Sequence, residues 1–165
     1  MRYLGSYPGA YSVRLIIMVI LMASLIYTFF VYTDRLSKAT EMASVQQTKN
    51  IINSSLAVVF ATYAIGGELD RLNDLNGANP FIYMAEYNLV PGNYHGLFKG
   101  EKLADLEPGW YYDSAHGEVI YKTYYDGRLF AFSLVLEYRD INGSGRYESG
   151  ADEYQRLYFQ QIPPR

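Results

Sequence analysis

The sequence predicts an α+β protein in which one long N-terminal helix, part membrane-spanning and part packing spine, carries a small antiparallel β-sheet. Three observations predict it. The run Leu15–Tyr32 (LIIMVILMASLIYTFFVY) holds no charged residue. Neither Pro nor Gly interrupts the chain from Leu15 to Ile65, and the first strong stop is Gly66-Gly67. From Gly109 onward the pattern changes to short alternating apolar runs divided by Gly-containing turns, which is the signature of strands.

Residues 1–14 form a short N-terminal segment. Gly5, Pro8 and Gly9 argue against regular structure as far as Ser12. Residues 15–32 are long enough to cross a bilayer's hydrocarbon core as a helix. The rival reading is a cleaved signal peptide, whose apolar region is shorter and ends in a small-x-small site. Here the run ends in Tyr27, Phe29, Phe30 and Tyr32, which suit the membrane–water interface, and Asp34, Arg35 and Lys38 follow. An uncleaved anchor is therefore expected. Arg2 and Arg14 on one side nearly balance Arg35 and Lys38 on the other. The N-terminal amine tips the balance toward a cytoplasmic N-terminus and a C-terminal domain outside the cytoplasm.

Residues 33–65 continue the helix. Leu36, Ala39 and Ala43 keep spacings of three and four, as do Ile52, Leu56, Val59 and Tyr63. A polar patch, Ser44, Gln46, Gln47, Thr48, Lys49 and Asn50, lies between them. A continuous helix from Leu15 to Ala64 would be about 75 Å long. Its second half would dock its stripe on the domain formed by residues 66–165. There Glu68–Leu75 predicts a short surface helix ended by Asn76-Gly77. Asn79-Pro80 predicts an N-cap and first helical position for a turn or two through Tyr87. Pro91–Gly100 reads as loop. Strands are expected at Trp110–Asp113, Glu118–Tyr125, Arg128–Arg139 and Tyr154–Ile162. Asp126-Gly127 signals a two-residue type I′ hairpin. In the third strand Phe130, Phe132, Leu134, Leu136 and Tyr138 share one face, while Leu129, Ala131 and Val135 make the other apolar too, which places it inside the sheet. Pro163-Pro164 ends the last strand.

The 165 residues carry a net charge of -3 and no cysteine. Disulfides, thiolate zinc sites and a cysteine nucleophile are excluded. There is no basic run of the kind that binds nucleic acid. The 18 Tyr and 14 Gly fit a β-rich surface with many tight turns. No catalytic motif is visible, so no enzyme is expected.

One loop invites a metal reading. Asp140, Asn142 and Ser144 put oxygens at alternate positions with Gly between, and Arg146 offers a carbonyl, which is the hard-cation pattern of a calcium loop. Position twelve, however, is Ala151, with Asp152 one residue late. The other reading is a hairpin loop whose Asp, Asn and Gly simply make turns. His95 and His116 sit in separate loops and read as surface residues. Glu101, Asp105 and Glu107 read as a solvated loop. Trp110 reads as core between helix and sheet, against the alternative of a stacking platform with Tyr111 and Tyr112. Ala23-Ser24 offers a partner helix a close approach.

Two stretches carry a family resemblance. One is Asn79-Pro80, between helix and sheet. The other is Glu107-Pro108-Gly109-Trp110-Tyr111-Tyr112-Asp113 with Gly117-Glu118-Val119-Ile120-Tyr121. With the long helix they resemble the type IV pilin-like family of pilins and pseudopilins. Ser44–Tyr63 and Leu69–Tyr87 are similar to biogenesis proteins of the mannose-sensitive haemagglutinin (MSHA) pilus. The resemblance implies a non-enzymatic, single-pass bacterial inner-membrane protein with a periplasmic C-terminal domain. Its partners would be other pilin-like subunits and the inner-membrane assembly platform. It also implies a processing glycine, for which Gly9 is the candidate, followed by a helix whose fifth residue is Glu. Arg14 stands at that place, so a membrane-held assembly factor is expected rather than an ordinary filament subunit. The competing expectation is an anchored extracytoplasmic ligand-binding or sensor domain.

Overall fold

The computed structural model describes residues 8–98 and 105–163. Expectations for residues 1–7, Glu101 and Pro164 concern positions outside these. The helix α1 runs from Pro8 to Gly66. It thus begins before Leu15, and the expected irregularity up to Ser12 is corrected for Pro8–Ser12. A proline suits the first turn of a helix, where its missing N–H has no intrahelical partner to lose and its fixed φ is already helical. The chain forms two compact units, Met1–Thr40 and Glu41–Arg165.

In the first unit α1 is exposed on all sides over Ser12–Phe30. The hydroxyls of Thr28 and Thr40 donate to the carbonyls of Ser24 and Leu36 at 2.8 and 2.9 Å. Lys38 Nζ lies 2.9 Å from Asp34 Oδ2, one turn apart.

In the second unit the other half of α1 buries Val45, Ile52, Leu56 and Val59, with Tyr63 half-buried after them. The stripe read from sequence at Ile52, Leu56, Val59 and Tyr63 is the packing face. The short surface helix expected over Glu68–Leu75 is present over Leu69–Leu75 as a 3₁₀ helix, with Asp70, Arg71 and Asp74 exposed. Leu69, Leu72 and Leu75 are three apart, the 3₁₀ period, so tightening the helix aligns all three. Leu72 and Leu75 are fully buried. The helix α2, Pro80–Ala85, starts as expected: the Asn79 side chain accepts from the Phe81 N–H at 3.1 Å and Pro80 takes the first turn.

Among the described residues five strands follow: β1 (Tyr94–Leu97), β2 (Gly109–Asp113), β3 (Glu118–Lys122), β4 (Leu129–Arg139) and β5 (Glu153–Ile162). They lie in the order β1-β2-β3-β4-β5. The pairs from β2 to β5 are antiparallel, as expected, but β1 runs parallel to β2. The sheet is therefore mixed, and the loop expected over Pro91–Gly100 contains a strand. That strand has four residues, of which Tyr94 and Gly96 are half-buried and His95 and Leu97 exposed, a run too short for its sequence to mark, so it takes its conformation from the neighbour it pairs with.

The third connection also differs from expectation. Gly127 has φ +63°, but Asp126 does not take the positive φ that a type I′ turn requires. Asp126 Oδ1 accepts from the Thr123 hydroxyl at 2.6 Å, and Asp126 Oδ2 lies 2.6 Å from Arg128 Nε. These bonds hold a wider turn, and they hold the Asp126 carboxyl below the usual range, the Thr123 hydroxyl most of all. β4 has neighbours on both sides, as its two apolar faces predicted. Beyond β3, its free flank is met by the Gly77 N–H on the Leu134 carbonyl (2.8 Å) and by Asn76 Oδ1 on the Leu136 N–H (3.3 Å).

The core lies between α1 and one face of the sheet. Trp110 is 2 % exposed and its ring meets those of Phe81, Tyr121 and Phe132 at 5.9, 4.6 and 5.5 Å. It is a core residue, as the first of the two sequence readings holds. On the opposite face Leu106, Tyr111 and Ile120 form a smaller cluster with Phe98 and Leu129 against it.

Candidate functional site

The largest chemical anomaly is on the first unit. Leu15, Ile16, Ile17, Met18, Val19, Ile20, Leu21 and Met22 are each more than half exposed, and the aromatic residues Tyr27, Phe29, Phe30 and Tyr32 are exposed as well. A helix apolar on every side belongs in a protein core or in lipid. α1 is long and apolar enough to cross a membrane, a property that signal sequences share.

The loop read as a calcium candidate does bring its three residues together. Asp140 Oδ1 accepts from the N–H groups of Gly143 (2.7 Å) and Ser144 (3.2 Å), and Asp140 Oδ2 from that of Gly145 (2.8 Å). Asn142 Oδ1 accepts from the Ser144 N–H at 2.9 Å, and the Ser144 hydroxyl donates to the Arg146 carbonyl at 2.8 Å. Asp152 stands in a second tier, accepting from the N–H groups of Ile141 and Glu148. The oxygens that would face a cation are thus engaged by the loop's own backbone in successive Asx turns. Among the described residues, no group of three or more His, Asp and Glu side chains is placed to hold a metal ion.

The remaining polar candidates have separate structural partners. His116 Nδ1 lies 2.6 Å from Asp113 Oδ2, while Asp113 Oδ1 accepts from the Ala115 N–H at 2.9 Å and so shapes the β2–β3 turn. The His95 ring stacks on Tyr111 at 4.9 Å, with Nε2 3.2 Å from the Pro108 carbonyl. The Tyr112 hydroxyl donates to the Gly77 carbonyl at 2.9 Å. Asp105 and Glu107 are exposed. Among the described residues, the structure brings none of these into one constellation with a nucleophile.

Sequence reading missed one surface feature. An open groove of about 450 Å³ runs between α1 and the segment after α2, lined by Ile51, Ser54, Val58, Tyr87 and Leu89 among others. Its sequence trace is a second helical row, Gln47, Ile51, Ser54 and Val58, too mixed in polarity to stand out beside the core stripe. Compared with models of known protein families, with curated proteins and with solved structures, the chain matches none of them.

Proposed function

We propose that this chain is a non-enzymatic, single-pass membrane protein that acts in assembly of a type IV pilus of the MSHA type, as an assembly factor or a minor pilin-like subunit. The observation that carries the reading is α1: one helix exposes an apolar surface all round over Leu15–Phe30, then buries a single stripe in an α+β domain. Sharing one helix between a bilayer and a domain is the arrangement of the pilin-like family that the sequence resembles. Aromatic side chains close the run at Tyr27–Tyr32, and charged residues begin at Asp34. On this reading the N-terminus is cytoplasmic and the C-terminal domain periplasmic. The partners are other pilin-like subunits and the inner-membrane assembly platform.

Arg14 favours one of the two roles. A positive charge at the edge of the apolar run can reach lipid phosphates. Inside a filament core it would be a buried charge without the acid that such subunits present to a neighbour's amine. The retained assembly factor is therefore the preferred role, and N-terminal sequencing of protein from cells tests it. The expected result is a membrane-fractionating chain that still begins at Met1 and crosslinks to pilin-like partners through Leu15–Tyr32. A mature chain starting at Ala10 in sheared fibres would make it a minor subunit instead. Normal pili in cells lacking the protein would overturn the assembly reading and leave the anchored sensor domain.

A further inference from the structure

β5 is the long outer strand of the sheet, ten residues against the four of β1 at the other edge. A bare strand edge of that length is a template for pairing with another chain. In an antiparallel strand alternate residues turn their backbone groups toward the neighbour, and those between turn them away. On β5, Leu157 and Phe159 are of the second kind, and their N–H groups are already taken. The Phe159 N–H donates to Asn53 Oδ1 at 2.8 Å, with Asn53 Nδ2 a longer 3.5 Å from the Phe159 carbonyl. The Leu157 N–H donates to Tyr154 Oη at 2.8 Å. Both side chains are held in place. Asn53 is half-buried on α1, and the Tyr154 ring stacks on Phe60 of α1 at 4.4 Å.

We propose that Asn53 and Tyr154 latch the outer edge of β5 against strand addition, and that the strand they keep out is β5 of a second copy of this chain. The sequence of β5 suits self-pairing once the latch is gone. Two copies related by a two-fold axis at Tyr158 set Leu157 opposite Phe159, so the two residues that would exchange hydrogen bonds are the two now engaged. In that register Arg156 faces Gln160 and no like charges meet, and the bulge at Gln155 ends the regular edge beyond Arg156. A shift of the axis to Arg156 would set two guanidinium groups against each other. The neighbouring flank offers no such opening, because β4 is met by β3 and then by Asn76 and Gly77.

The chain has no cysteine, so a single introduced thiol reports one position. Tyr158→Cys lies on the proposed axis, and the full chain in detergent micelles is the sample. Under mild oxidation Tyr158→Cys alone should stay unlinked. Combined with Asn53→Leu and Tyr154→Phe, it should form the disulfide dimer at least about ten-fold faster, because pairing raises the effective thiol concentration. Equal rates in the two, or a natively folded triple variant that stays unlinked, would overturn the proposal. Hydrogen exchange on the unaltered chain decides the matter if the triple variant fails to fold. The amides of Leu157 and Phe159 should exchange at least about ten-fold more slowly than an open edge amide. Exchange at the open-edge rate would remove the latch.

Discussion

Gly109 sits where β1 and β2 meet, at φ +145°, and a Cβ there would fall 2.4 Å from the Asn93 carbonyl oxygen and 2.6 Å from His95 Nε2. Backbone cannot yield as a flexible side chain can. Gly109→Ala should therefore destabilise the domain by about 1–3 kcal/mol, the usual cost of forcing atoms into filled space. Chemical denaturation of the full chain in detergent measures it, and an unchanged midpoint would mean β1 moves aside at no cost. The next residue works the other way. Trp110 fills space among Phe81, Tyr121 and Phe132, so Trp110→Ala should cost about 3–5 kcal/mol, transfer and cavity terms together. A variant that kept its stability would remove Trp110 from the core. The sequence alone made the tryptophan legible, since a large apolar ring opening a short strand is best buried. It left the glycine's role hidden, because the Asn93 carbonyl that crowds it is sixteen residues away along the chain.

Between elements, single polar side chains make the fastenings. Glu41 Oε1 accepts from the buried Tyr121 hydroxyl at 3.0 Å and from the Tyr124 N–H at 2.6 Å, tying α1 to the end of β3. Glu41→Ala strands that hydroxyl and should cost about 1–3 kcal/mol, whereas Glu41→Gln keeps an acceptor oxygen and should lose less. Equal losses in thermal unfolding of the two would show that acceptance is not the point. Asn73 on the 3₁₀ helix holds both backbone groups of Tyr147, at 2.9 and 2.7 Å, and so pins the Asp140 loop. Within that loop Asp140 serves three N–H groups, so Asp140→Ala should cost about 0.5–2 kcal/mol, as at a lost helix cap. Because the oxygens are engaged internally, millimolar calcium should leave the melting temperature of the unaltered chain unchanged. A rise that Asp140→Ala abolishes would assign a calcium site there. The elements themselves were mostly legible, but their fastenings were not: nothing in the local sequence of Glu41, Asn53 or Asn73 points to partners 74–106 positions away.

Across the domain, tyrosine shapes the response to pH. Burial pushes the Tyr121 phenol well above the usual tyrosine range, and its hydrogen bond to the Glu41 carboxylate pushes in the same direction. Burial likewise raises Tyr83, Tyr112 and Tyr154. The unfolded chain releases these protons at about pH 10, while the folded domain still holds them. Unfolding is then linked to proton release, and stability falls as pH rises. The stabilisation is complete below about pH 10 and is lost progressively above it. Denaturation midpoints on either side of that pH check the trend, alongside phenolate absorbance. Tyr121→Phe should flatten the alkaline fall, and a midpoint indifferent to alkaline pH would show that the phenols titrate normally while folded.

The α+β class, the uninterrupted course of α1, its apolar first half, the packing stripe and the strands β2 to β5 are all legible in the order of the amino acids. Each is written in neighbours: periodicity, absent breakers, caps and turn residues act over a few positions. The rest depends on contacts between distant parts of the folded chain. β1 became a strand because β2 offered it a parallel partner. The expected short helix tightened into a 3₁₀ helix because Leu69, Leu72 and Leu75 had to face one core while Asp70, Arg71 and Asp74 stayed exposed. The Asp126 turn widened because Thr123 and Arg128 drew its carboxylate away from the tight form. The edge of β5 closed because α1 laid Asn53 against Phe159. In each case the deciding energy is a contact made after the chain has folded back on itself, and local patterns carry no record of it.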